Sequence, residues 1–267
     1  MELGIQGKVA LITGGDSGIG CATAKLLAAE GVKIALLDKE MEPLRATVEE
    51  VSTVGKAFPV QADLRNLSEV EAARDQIVSH YGTVDMLVNC AGITGATGDF
   101  MEISDDEWHE AIEVNLMGAI RVCRTFIPLM QESGWGRVVL VTSEDAVQPY
   151  TDEMPYCAAK AGLLNFTKNL SKAYAKDGVL ANSVSPAFIA TPMTDAMMEK
   201  RADKLGVSFD EAIATFLKEK RPHLELQRRG EAQEVAAVIA FLCSQLSSFV
   251  VGANYRVDGG AVAGISL

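Results

Sequence analysis

Apolar residues along the chain fall into two alternating patterns. Short continuous runs at 9–13, 33–37, 57–61, 86–89, 138–142 and 181–184, rich in Val, Ile and Leu, predict strands. Continuous rather than every-other apolarity is what a strand covered by helices on both faces requires, so the sheet is expected to be parallel. Helical patterns fill the intervals. Three of them are announced by Ser with Glu three residues later, namely Ser68 with Glu71, Ser104 with Glu107 and Ser208 with Glu211. After the first, Val70, Ala73, Ile77 and Tyr81 mark one buried face. Segment 108–130 carries Ile112, Val114, Leu116, Ile120, Val122, Phe126 and Leu129 over more than one face. The helix expected over 156–175 is equally broad, with Leu163, Leu164, Phe166, Leu170 and Tyr174. Both call for a second surface, which an interface between subunits supplies. Strand, helix, strand repeated about six times predicts a doubly wound α/β fold with right-handed crossovers and ligands at the carboxyl ends of the strands.

The 267 residues, 48% hydrophobic and 22% charged, suffice for a large core, and no Pro-, Ser- or charge-rich linker interrupts them. One domain over 1–267 is expected. A formal charge of −12 sets the surface against polyanions, and Lys218, Lys220, Arg221, Arg228 and Arg229 lie among acidic neighbours, so nucleic acid is not an expected partner. Residues 1–8 lack a basic leader with an apolar stretch, and no run of eighteen apolar residues occurs; a cytoplasmic location without membrane partners is the reading. Cys21, Cys90, Cys123, Cys157 and Cys243 are widely spaced and read as buried free thiols, and neither they nor His80, His109 and His223 have metal-ligand spacing. No metal is expected.

Chemistry enters directly after the first strand, where Thr13, Gly14, Gly15, Asp16, Ser17, Gly18, Ile19 and Gly20 run into a helical segment. A pyrophosphate must approach backbone N–H groups at the positive end of a helix, and side chains would stand in its way. A glycine turn alone also serves a tight helix entry; the flanking strand and helix favour the phosphate reading. Asp38 ends the second strand, where a carboxylate accepts hydrogen bonds from an adenosine ribose. A 2′-phosphate there would meet repulsion of about 4 kcal/mol per charge pair at about 4 Å, less with solvent exposure, so NAD(H) is expected over NADP(H). Lys39 blunts that preference.

Tyr156 and Lys160, four apart on an expected helix, project from one face a turn apart. An ammonium beside a phenol stabilises phenolate, which predicts a lowered pKa and an acid–base role for Tyr156. Ser143 closes the fifth strand, where its hydroxyl can steady a reacting oxygen. Taken singly, each of the three also reads as packing, a solvated charge or a cap.

Together, T-G-x-x-x-G-x-G at 13–20, Asn89-Cys90-Ala91-Gly92, and Tyr156-x-x-x-Lys160 with Ser143 thirteen residues upstream resemble the short-chain dehydrogenase/reductase family, over essentially the whole chain. The resemblance implies a Rossmann fold with a seven-stranded parallel sheet ending near 255–257, and no metal. It implies that Asp63 and Leu64 contact adenine, that Asn89, Ala91 and Gly92 floor the ribose, and that Pro186, Ile189 and Thr191 lie at the nicotinamide. By the same resemblance Lys160 holds the nicotinamide ribose, Asn115 binds a water linking Lys160 to solvent, and four subunits assemble. Cys90, Ala187 and Leu180 depart from the residues usual in the family at those places.

Segment 192–225 is longer than a strand-to-helix connection needs and carries Met193, Met197, Met198, Phe209, Ile213, Phe216 and Leu217. Two short helices forming a lid over an apolar substrate are expected, with Met193, Met197 and Phe216 facing it; plain packing is the competing reading. The function expected is interconversion of a small secondary alcohol and a ketone. One alternative is a 3-oxoacyl-[acyl-carrier-protein] reductase using NADPH; another is a dinucleotide-binding regulator without turnover, against which Ser143, Tyr156 and Lys160 speak.

Overall fold

The computed structural model describes residues 2–265; Met1, on which the leader reading partly rests, lies outside them together with 266 and 267. In chain order the elements begin β1 (Val9–Thr13), α1 (Gly18–Ala29), β2 (Lys33–Asp38), α2 (Met41–Ser52), β3 (Lys56–Gln61), α3 (Leu67–Tyr81) and β4 (Met86–Asn89). Then come α4 (Asp105–Ile112), a π-helical turn (Glu113–Met117), α5 (Gly118–Ser133), β5 (Gly136–Val141), α6 (Met154–Tyr174) and β6 (Val179–Pro186). The chain closes with β7 (Ile189–Ala190), α7 (Pro192–Leu205), α8 (Phe209–Lys220), β8 (Gly230–Glu231), α9 (Ala232–Cys243) and β9 (Asn254–Val257).

Among the described residues, seven strands form one sheet in the order β3-β2-β1-β4-β5-β6-β9, every pair parallel. Alternate residues of each strand feed different layers. Ala10 and Ile12 pack with Leu27, Val235 and Ile239 on one face, while Val9 and Leu11 pack with Ile77, Phe126 and Leu163 on the other. Both faces being covered, the strands read as unbroken apolar runs. Because β1 has β2 on one side and β4 on the other, the crossovers diverge there and leave a crevice at the carboxyl ends of β1 and β4.

Three local expectations are corrected. The helix expected over 108–130 is interrupted at Glu113–Met117, where bonding widens to π spacing, and Asn115 sits inside that turn with its side chain bonded to the Ala111 carbonyl. The cap expected at Ser68 falls to Asn66, which accepts from the Ser68 N–H and donates to Glu69, so the helix starts earlier than the Ser-x-x-Glu spacing suggested. Ser104 and Glu107 do form the reciprocal cap; Ser208 accepts from the Glu211 N–H without the return bond. Segment 192–225 contains two helices and has a small core of its own, Phe188, Met198, Phe216, Leu217, Leu224 and Ala261. No helix among the described residues is long and apolar enough to cross a membrane.

Candidate active site

A cavity of about 430 Å³ opens at the carboxyl ends of β1 and β4. Its floor is the turn joining β1 to α1. Gly14 holds φ 63°, and a Cβ there would lie 2.7 Å from the Ala91 backbone nitrogen; a Cβ on Gly20 would run into the Gly14 carbonyl oxygen. These two glycines are therefore demanded first by chain packing on chain, and clearance for a phosphate is its consequence. Ser17 is the N-cap of α1 but makes no capping bond, and the first turn carries no acidic residue. The positive helix end faces the cavity through Ser17, Gly18 and Ile19, a cradle that fits a pyrophosphate.

Asp16, Asp38, Lys39, Asp63 and Leu64 line the same cavity, with Ala91 and Gly92 opposite and Pro186, Ile189 and Thr191 further along. The Asp38 carboxyl is pushed up to about 6, first by burial and then by the Asp16 carboxylate. Asp63 is held below its ordinary range by the Arg65 guanidinium, an ion pair of 2.5 Å. Arg65 and Glu110 also line the cavity, and sequence reasoning missed both. Lacking any motif, they are found only by folding.

Ser143, Tyr156 and Lys160 converge on this cavity from β5 and α6. Lys160 is buried, donates to the Val141 carbonyl at 2.9 Å, and stands 5.5 Å from the centre of the Tyr156 ring. Burial pushes its ammonium down to about 8, against the partial help of Cys90 and Asp145. The acidified phenol expected from the i, i+4 spacing is corrected here. Burial drives Tyr156 well above its ordinary value, the Asp145, Glu144 and Glu153 carboxylates push the same way, and only the Ser143 hydroxyl pulls against them. In this arrangement Tyr156 holds its proton.

Four expected site residues do not line the cavity. Asn89 is buried and accepts from the Thr13 hydroxyl at 2.9 Å, tying β4 to β1. Asn115 is buried, with both amide protons donated to the Ile93 and Ala111 carbonyls and its oxygen accepting from the Ile93 N–H. It pins the strip 91–93 beside Lys160. Phe216 is buried against Phe188 in the small core, and Met197 packs on that core; Met193 alone of the three expected lid residues reaches the cavity. Cys21 and Cys90 are half-buried, not buried as expected, and Cys90 lines the cavity with its thiol pushed up to about 12 by burial.

Behind Ser143 lies a charged group that no motif announced. Its hydroxyl is 3.2 Å from Glu144 Oε2 and 3.0 Å from Asp145 Oδ1, and both carboxyls are buried. Arg221, just past α8, reaches Glu144 Oε1 at 3.6 Å and Glu153 Oε1 at 3.3 Å while lying 3.5 Å over the Tyr150 ring. Burial, and after it the Asp145 carboxyl, raises Glu144 well above the carboxylate range, while burial, and after it Glu153, raises Asp145 to about 7. The one signal available beforehand was two acids directly following an apolar strand.

A parallel seven-stranded sheet with a helix-end cradle at its switch point and a Ser, Tyr, Lys trio beside it defines a dinucleotide-dependent oxidoreductase. The chain belongs to the short-chain dehydrogenase/reductase family: residues 14–262 match the family described as Enoyl-(Acyl carrier protein) reductase. It is 34% identical to the "Uncharacterized oxidoreductase YvrD" of Bacillus subtilis, over 98% of this chain and 99% of that one. It is 36% identical to the 3-oxoacyl-[acyl-carrier-protein] reductase FabG of Aquifex aeolicus, over 97% and 99%. Among solved structures, that of L-sorbose reductase from Gluconobacter frateurii complexed with NADPH and L-sorbose covers 99% of this chain and 100% of its own at 32% identity, with a TM-score of 0.93. The chain is an enzyme that interconverts alcohol and ketone groups with a nicotinamide dinucleotide.

Proposed function

We propose that the enzyme uses NAD(H) to interconvert a secondary alcohol and a ketone on a small substrate with a largely apolar skeleton, and that Tyr156 carries the proton. The convergence of Ser143, Tyr156 and Lys160 on the cavity that holds the glycine turn is the observation that supports this reading most. A bound nicotinamide dinucleotide supplies or accepts the hydride. Ser143 steadies the reacting oxygen with its hydroxyl. Tyr156, kept protonated by burial and by the carboxylates around it, donates to that oxygen in reduction, while oxidation needs a higher pH. Lys160, at about 8, keeps its charge at neutral pH and holds the ribose beside the phenol. Asn115 acts by fixing the wall 91–93.

Preference for NAD(H) is supported by Asp38 and Asp16 together, because a 2′-phosphate would meet two carboxyls with only the exposed Lys39 and the Asp63-bound Arg65 nearby. The sorbose reductase structure contains NADPH, so this preference belongs to the present residues. The FabG relatives favour a second reading, NADPH-dependent reduction of a 3-oxoacyl thioester. A net charge of −12 offers little to an acidic carrier protein. A single domain with its lid at 192–225, a cytoplasmic location and a homotetramer complete the proposal. A half-buried stripe of Ile112, Leu116, Ile120, Leu164 and Phe166 supports assembly, and light scattering that gave a monomer would reject it.

Tyr156→Phe tests the core of the reading. Turnover of a secondary alcohol or ketone should fall by about 10²–10⁴-fold while NADH affinity changes by less than about 3-fold. Retention of most of the activity would show that another group moves the proton.

A further inference from the structure

The start of α7 forms one wall of the cavity yet has no apolar anchor there. Ile189, Thr191, Pro192, Met193 and Thr194 all line the cavity, and the first side chain of α7 to be buried is Met198, more than a turn further on. The wall nevertheless stands close to the opposite side. A Cβ on Gly18, at the phosphate cradle, would lie 3.1 Å from Thr191 Cγ2, so the start of α7 and the start of α1 approach to van der Waals distance beside the place that fits a pyrophosphate.

What fixes this wall is polar and comes from the residue just before β8. The Arg229 guanidinium, on a side chain 10% exposed, donates from Nη1 to Asp195 Oδ1 at 2.7 Å. From Nη2 it donates to the Ile189 carbonyl at 3.3 Å and to the Thr194 hydroxyl. Thr194 in turn donates to the Ile189 carbonyl and accepts from the Thr191 N–H at 3.3 Å. One guanidinium thus ties β7 to the first turn of α7. Its other side lies 5.1 Å from the centre of the Phe188 ring, and its Nε–H has no partner, so its hold on the chain runs through the Nη edge alone. The adjacent Arg228 is engaged with Glu234 at 2.7 Å and does not share the task. A cation beside the positive end of a helix is unfavourable by itself, and Asp195 offsets it. Packing of the small core does not call for such a charged tie.

We infer that Arg229 is a positioning residue that latches the start of α7 across the dinucleotide cleft, so that release of the nicotinamide dinucleotide waits on the opening of this latch. With the bonds to Asp195 and Thr194 made, Thr191 and Met193 stay against the cleft. With them broken, α7 can swing on its remaining anchor, Met198 and Ala202. The share of molecules in the held state scales the apparent affinity, and the opening of the lid sets the rate of release. The inference rests on the dinucleotide-dependent reading above and adds to it the residue that governs how long the dinucleotide stays.

Release of NADH, or of NADPH if that binds more tightly, tests it without any substrate, by following nicotinamide fluorescence while the oxidised form displaces it. Arg229→Met should release the reduced dinucleotide about 10-fold faster and bind it about 10-fold more weakly, and Asp195→Asn, which leaves two of the three bonds, should change both by about 3-fold. Arg229→Lys should fall between Arg229→Met and the unaltered enzyme, because an ammonium keeps the charge and loses the forked reach. A purely structural role would lower Tm and leave release from the folded molecules unchanged. Release no faster in Arg229→Met, or in Asp195→Asn should the first variant fail to fold, overturns the inference and leaves the alcohol–ketone reading standing. An unaltered enzyme that binds neither NADH nor NADPH overturns both.

Discussion

The two ends of the cavity are built on different principles. Around β1, α1 and β4 it is made of backbone: the Gly14 turn lies against the Ala91 main chain, the Gly20 position admits no Cβ, and the start of α1 presents uncapped N–H groups. Around β5 and α6 it is lined by the side chains of Ser143, Tyr156 and Lys160, with Glu144, Asp145, Glu153 and Arg221 packed behind Ser143. At the first end the Asp38 carboxyl is raised toward neutral pH. The second can be retuned by one protonation.

The largest effect that would sharpen this contrast is at the backbone end. Gly20→Ala forces a Cβ against the Gly14 carbonyl, which cannot move without shifting the turn. We expect a loss of about 3 kcal/mol and a fall in Tm of about 6–12 °C together with weak NADH binding. An unchanged Tm would show that the turn yields. Next comes Asp38→Asn, which removes the carboxylate from the ribose site. The NADP-to-NAD ratio of kcat/KM should rise by about 10–100-fold, and no change would place cofactor choice elsewhere.

A smaller effect follows from the same carboxyl without mutation. Ribose hydroxyls donate to the ionised form, so binding favours the carboxylate, and the folded enzyme protonates Asp38 at about 6. NAD(H) affinity should be level above that pH and fall by up to about 10-fold on going down to about pH 5, as titrations of nicotinamide fluorescence would show. A flat profile would separate Asp38 from ribose binding. The smallest change is expected at Met193→Ser, an exposed residue on the cavity rim. It should raise KM by about 3-fold and alter stability by less than about 0.5 kcal/mol; an unchanged KM would remove Met193 from the lid.

The sequence alone determined the layered fold, because strands covered on both faces must be apolar throughout and helices between them must repeat near 3.6 residues. It determined the glycine turn, Asp38 and the trio Ser143, Tyr156 and Lys160, because local spacing on a strand end or a helix face sets where such side chains point. Tertiary structure decided the rest. Asn115 looked like one more residue of a long helix and sits in a π turn pinning Ile93; Phe216 looked like a lid residue and fills a core. The expected direction of the Tyr156 shift reversed, since a phenol's acidity depends on its burial and on every charge near it, and burial first, then the Asp145, Glu144 and Glu153 carboxylates, favour the protonated form. Arg221, 77 residues along the chain from Glu144, joins that cluster only when α8 folds back over the strand end.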